Sequence, residues 1–256
     1  MTISLDIKLD YTLPEPTTIL LMIEAADYAG QKVVSSDIEG LDGAEPRAPA
    51  SGVGLAQLVE RGARLDVRYR AEVAVTRTTA DLTQLAALSI RDLPEDVLPY
   101  LLPSRYCQSD QLGTLTQNKF GGFDGGEKIL AIRDWIAANI AYVSGASTGT
   151  TTALDSYISR QGVCRDYAHL MIALARAADI PARMVSVYGP DVDPPDFHAV
   201  AEVYLQGGWH LVDATGMATP DEMVVVTTGR DAADIAFMTS FGVAELVEQS
   251  VGVRRS

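Results

Sequence analysis

Cysteine is nearly absent from this chain. Two occur among its 256 residues, Cys107 and Cys164. A disulfide framework is therefore not expected, and a zinc site built on cysteine pairs is excluded. Histidine is as scarce. His169, His198 and His210 are the three present, too scattered for a metal cluster. Positive charge is short as well: 20 Lys and Arg stand against 34 Asp and Glu, a net charge of −14. Nothing basic is concentrated enough to neutralise phosphates, so neither nucleic acid nor an anionic membrane is an expected partner. No stretch approaches the ~18 apolar residues of a membrane span. The segment Met1 to Asp6 lacks a basic run followed by an apolar one. A soluble, cytoplasmic protein is expected. No internal repeat or low-complexity tract interrupts it.

What is present is enough apolar material for a sizeable core, 47% of the chain. The length fits one large or two small domains. The first part reads as strands. Ile3, Leu5, Ile7, Leu9 and Tyr11 alternate with mostly polar neighbours, and Leu65, Val67, Tyr69, Ala71, Val73 and Val75 repeat the pattern. Thr18 to Ile23 and Gln31 to Ile38 are further strand candidates. Gly40 to Gly54 is turn material. Pro94, Pro99 and Pro103 mark a connecting segment between Asp81 and Asp110. Ile129, Ile132, Ile136 and Ile140 then recur at helical spacing. Ser144 to Thr152 is a loop. A second helix is predicted from Val163 to Ala178, with Pro181 requiring it to end before Ile180. Ala182 to Tyr188 is a strand candidate and Gly189 to Asp196 a proline-rich loop. Phe197 to Leu205 and Trp209 to Asp213 form a predicted hairpin, and Met223 to Thr228 a later strand. The division expected is a β domain over 1–105 and an α+β core over 106–256.

Chemistry concentrates at Cys164. It follows Gly162-Val163 at the mouth of an almost wholly apolar helical run, where the helix dipole favours thiolate over thiol. Gly162 is read as leaving room for close approach of a substrate. His198 starts one strand of the hairpin and Asp213 ends the other. The register decides whether they meet. With Gln206-Gly207 as the turn, Val200 opposes Asp213, and His198 is its diagonal neighbour on one face. With Gly207-Gly208 as the turn, Asp213 opposes Glu202, about 13 Å along the strand from His198. Only the first register, or a longer loop equivalent to it, allows a Cys-His-Asp triad. His169 lies five residues after Cys164 on the same helix, about 500° round, and points elsewhere.

These residues together resemble the transglutaminase-like core, a relative of papain-like thiol enzymes. The matching pieces are Gly162-Val163-Cys164-Arg165-Asp166, Ile180-Pro181-Ala182-Arg183, His198-Ala199, Gly208-Trp209 and Asp213-Ala214-Thr215. Pro103-Ser104-Arg105-Tyr106-Cys107 and Gly229-Arg230-Asp231-Ala232-Ala233-Asp234 are similar to segments of bacterial transglutaminase-like proteins that carry a small β domain ahead of the core. The resemblance implies a nucleophile helix packed on an antiparallel sheet. It implies amide or peptide chemistry through a thioester acyl-enzyme, with Cys164 as nucleophile, His198 as acid and base, and Asp213 holding the imidazole. No metal or organic cofactor is required, and the partner is a protein or peptide substrate. The Cys164 N–H would supply part of an oxyanion hole, with Gln161 a candidate for the rest. Hydrolysis is the favoured outcome. Crosslinking acyl transfer and a non-catalytic binding protein on the same fold are the alternatives. Arg165 and Asp166 read as residues orienting the helix mouth, Tyr167 and His169 as packing or hydrogen-bonding groups. Trp209 reads as a core aromatic, Cys107 as structural, and Asp231 and Asp234 as caps of a helix from Ala232 to Met238.

Overall fold

The computed structural model describes residues 1–256. Along the chain, β1 (Thr2–Leu21), β2 (Gln31–Glu39), β3 (Glu45–Arg47) and β4 (Ala56–Val75) come first. Short 3-10 turns fill the proline-marked segment from 82 to 111. Next come α1 (Gly113–Phe120), α2 (Gly125–Asn139), β5 (Ala141–Tyr142), α3 (Ala153–Ser159), β6 (Gln161–Gly162) and α4 (Cys164–Arg176). The chain continues through β7 (Ala182–Tyr188), β8 (His198–Leu205), β9 (Gly208–Val212) and β10 (Val224–Gly229). It ends with α5 (Ala232–Ile235), β11 (Met238–Ser240) and β12 (Glu245–Arg255). No helix is long and apolar enough to cross a membrane.

The two alternating runs read from the sequence pair with each other. β1 lies antiparallel to β4 with Ile3 opposite Val73 and Ile7 opposite Tyr69. Thr18 to Ile23 is not a separate strand but mostly the continuation of β1. The register shifts between Leu13 and Thr17, where Pro14 and Pro16 cannot donate to a ladder. The other edge of β1 is taken by the end of the chain. β12 pairs with it from Ile3↔Arg255 to Thr12↔Glu245, and β11 pairs with its second half. A boundary at 105 assigns 238–255 to the second unit, whereas these residues complete the first sheet. Alternation shows that a strand needs neighbours; it does not show which ones.

The second sheet has the order β10-β7-β8-β9, antiparallel throughout its observed pairings. One face packs on α4: Leu170, Met171 and Leu174 share a buried cluster with Met184, Ala201 and Val203. Each such side chain removed from water contributes about 1.5–3 kcal/mol. Tyr188, Val224 and Val226 instead join the cluster built on β1 and β4, so one core spans both sheets. The Tyr188 hydroxyl donates to the Ile23 carbonyl at 2.7 Å. Gln31 covers the outer edge of β10: its amide donates to the Val225 carbonyl at 2.9 Å and accepts from the Val225 N–H at 2.7 Å.

α2 is held against the turn at Leu82–Gln84 by a close backbone approach at Gly126. A Cβ there would lie 1.7 Å from the Leu82 carbonyl oxygen. Gly126→Ala is therefore expected to lower stability by about 2 kcal/mol or more, because the obstacle is backbone. Thermal unfolding checks this, and an unchanged melting temperature would contradict the packing described.

Candidate active site

Cys164 is the first residue of α4, and Val163 before it is extended (φ −115°). The Asp166 carboxylate turns back and accepts the Val163 N–H at 2.8 Å, satisfying a donor that the helix start leaves open. Asp166 is fully buried. This explains Gly162 differently from the sequence reading. A Cβ at 162 would sit 2.6 Å from the Asp166 Cβ, so the space is filled by Asp166 and not kept for a substrate. Arg165 ties the same turn to the loop before α3 through the Thr148 carbonyl, with its guanidinium over the Tyr106 ring. Arg165 and Asp166 thus orient the helix mouth, as their positions suggested.

The hairpin adopts the register with Leu205 opposite Gly208 and Ala201 opposite Val212. Its turn residues, Gln206 (φ 49°) and Gly207 (φ 82°), are both left-handed, as a two-residue turn of primed type requires. His198 and Asp213 are then diagonal neighbours, and His198 Nε2 lies 2.9 Å from Asp213 Oδ2. Asp213 is held from several sides. It accepts from the Thr215 N–H (2.8 Å), the Thr215 hydroxyl (2.7 Å) and the Ala218 N–H (3.0 Å). Burial works against its charge, but His198 and Thr215 outweigh that and hold its carboxyl below the usual range. The His198 ring is buried, which disfavours the imidazolium. The hydrogen bond to Asp213, its negative charge and the neighbouring Cys164 overcome this and raise it to about 9. His198 Nδ1 is buried without an aligned partner, and the thiol of Cys164 is the other side chain bearing on the ring. Loose contacts of this kind are usual in a resting site.

Sequence reasoning missed Tyr142. It lies in β5, which pairs with β6 so that Tyr142 is opposite Gly162. Its ring packs against Tyr167, centroids 5.9 Å apart, beside the start of α4. Burial, then the charge of Cys164, push the phenol up to about 12. A strand of two residues has no period to detect. The one signal available was an aromatic just beyond the Ile140 that closes the apolar helix pattern.

The other Cys, His and Asp residues gather elsewhere. Cys107 Sγ donates to the His169 carbonyl at 3.5 Å, and burial pushes that thiol up to about 12. His169 is driven down to about 3 by burial and by Arg165; its Nε2 accepts the Ala232 N–H at 3.2 Å. Asp231 caps α5 and also accepts the Tyr106 N–H. This set joins the 104–107 segment to α4 and α5, with an inert thiol. α5 ends at Ile235, short of the expected Met238, and Asp234 pairs with Arg230 instead of capping. Trp209 is half-buried, edge-on to Tyr100 and Tyr204 with Arg183 4.0 Å above its ring. A groove of about 780 Å³ along β9 is lined by Trp209 and Arg77 and reaches Asp213, but not Cys164 or His198.

Residues 114–214, which include all three of Cys164, His198 and Asp213, match the family model described as the transglutaminase-like superfamily. A crystal structure from Cytophaga hutchinsonii, described as a candidate cysteine protease, superposes with a TM-score of 0.92 at 34% identity. It covers 99% of this chain and 90% of its own. A Mycobacterium leprae protein is 25% identical over 175 residues, and a Mycobacterium tuberculosis protein 35% identical over 115. Both are uncharacterized, and this chain spans 61% and 37% of their lengths. With its Cys164-bearing helix packed on an antiparallel sheet, the α+β chain belongs to the transglutaminase-like superfamily.

Proposed function

We propose that this protein is a thiol-dependent amide or peptide hydrolase using Cys164, His198 and Asp213. The observation that carries the reading is the two-sided environment of His198: Asp213 holds Nε2, while the buried Nδ1 is left to the Cys164 thiol. Asp213 fixes the tautomer and supports the imidazolium. Cys164 attacks the amide carbonyl, and the thiol proton passes to His198. His198 then protonates the leaving amine. Water, activated by the same imidazole, cleaves the thioester. The 34% identity to the Cytophaga protein supports hydrolysis. An amine in place of water gives transamidation, the chemistry in the superfamily's name.

The test is incubation with a peptide library and activated esters, with and without a labelled primary amine, followed by mass spectrometry of the Cys164 peptide. Cleaved or deamidated products and a Cys164 acyl adduct are expected, all lost in Cys164→Ala. Amine incorporation that outruns hydrolysis would replace the hydrolase reading by acyl transfer. A protein that acylates with nothing would be a binding module.

A further inference from the structure

β9 is an edge of the second sheet: it pairs with β8 on one side and with no strand on the other. Its register decides what that edge offers. Leu205 and Gly208 close the two-residue turn, so Gly208, His210 and Val212 exchange hydrogen bonds with β8. Trp209 and Leu211 then turn their N–H and C=O groups outward, and no turn, loop or cap bond takes them up. The edge carries neither Lys nor Pro, residues that commonly blunt one.

The segment from Arg77 to Ala86 runs beside this edge in the opposite direction without pairing to it. One end is pinned where the Gln206 N–H donates to the Ala86 carbonyl at 3.0 Å. The other is pinned by Arg77, whose Nε and Nη2 donate to the Pro220 and Met223 carbonyls at 3.0 and 2.7 Å. Between the pins lies the groove of about 780 Å³, which touches every residue from Trp209 to Asp213. Side chains alternate across a strand, so a groove that touches five in a row follows the main chain.

The charge left free in the groove is opposite to the chain's net −14. Asp81 and Asp213 are the carboxylates in its wall, and both are taken up. Asp81 accepts from the Thr83 N–H and hydroxyl, and Asp213 is held by His198, Thr215 and Ala218. The two arginines in the wall keep charge to spare. Arg77 has its buried Nη1 without a partner. Arg133, on α2, meets only the exposed Asp134 beside it, a surface pair of little strength.

We propose that this groove binds an extended acidic segment of a partner polypeptide, which adds to the free edge of β9 as a fifth strand. Main-chain bonds to Trp209 and Leu211 supply affinity, and carboxylates that reach Arg77 and Arg133 supply selectivity. Leu82, Leu130 and Pro220 give its apolar side chains a surface. The groove stops short of Cys164 and His198, so the segment is not the scissile one and the proposal stands apart from the hydrolase reading.

The test uses two labelled octapeptides, Val-Val-Glu-Glu repeated twice and its counterpart with Lys in place of Glu. Fluorescence anisotropy should show the acidic peptide binding at least about tenfold tighter. Arg133→Glu should weaken it by about tenfold, and protein alkylated at Cys164 with iodoacetamide should bind it as well as the untreated protein. With the acidic peptide bound, the Trp209 and Leu211 amides should exchange hydrogen about tenfold more slowly. No binding, or equal binding of both peptides, would overturn the proposal. Binding lost on alkylation would place the peptide at Cys164 instead. Protection of the same amides without peptide, together with a dimer in sedimentation, would make the occupant a second copy of this chain and overturn the partner assigned.

Discussion

His198→Ala is expected to slow acylation of Cys164 by about 10⁴–10⁶-fold, the scale on which losing one member of such a triad acts. The loss has two parts. The alanine takes no proton from the thiol, and it returns none to the leaving amine. Alkylation by iodoacetamide should slow as well, while Cys107, buried with its thiol pushed up to about 12, stays unlabelled in both proteins. The pH dependence carries a second signature. In the folded protein the imidazolium persists to about 9, against an ordinary 6.5. Amide turnover by the wild type should therefore decline as pH rises through about 9. Stability follows the same sign. A raised cationic group contributes fully below 6.5, and its contribution is lost as pH climbs toward about 9. Asp213, held low, acts oppositely: its contribution is present in the neutral range and fades on acidification. The melting temperature of His198→Ala should lack the alkaline decline. Equal acylation rates in the two proteins would sink the role given to His198.

The largest expected effect on stability is at Glu202, four residues along the strand from His198. Its carboxylate accepts from Arg183 Nε at 2.8 Å, and the Tyr28 hydroxyl donates to both its oxygens at 2.9 Å. Arg183 Nη2 closes the ring by donating to the Tyr28 oxygen at 2.7 Å. Arg183 and Glu202 are both buried. Burial opposes the guanidinium charge, and Glu202 more than compensates. Glu202→Ala removes the compensation but not the buried cation. It should cost about 3–5 kcal/mol, the penalty for breaking a buried pair from one side. For a chain of this size that is a fall in melting temperature of roughly 10 °C. The double variant Glu202→Leu with Arg183→Met should recover much of it, since neither charge is then stranded. A single variant that melts with the wild type would show that the pair is solvated in solution.

How much was legible in advance follows from how local each signal is. The α4 boundary could be read because Cys164 opens an apolar run that Pro181 must close. The β7, β8 and β9 strands could be read because alternation and Gly207-Gly208 are contained within a few residues. Their two candidate registers differ by two residues and keep the same faces, so alternation does not choose between them. Three dimensions chose. The observed register sets Tyr204 opposite Trp209, with rings 5.1 Å apart, and brings Asp213 within 2.9 Å of His198.

By itself, then, the sequence determined the superfamily resemblance, the helix that Cys164 opens, and the alternating strands of β1, β4, β7 and β8. These depend on residue type and short-range period. The tertiary structure alone decided that β11 and β12 return to pair with β1, that Gly162 makes room for Asp166, and that Tyr142 lies opposite Gly162. Each of those is a contact between segments far apart in the chain or a fit between backbone and one side chain. Hydrophobic period says which face is buried, but the partner is chosen by pairing and packing energies that a single strand does not contain.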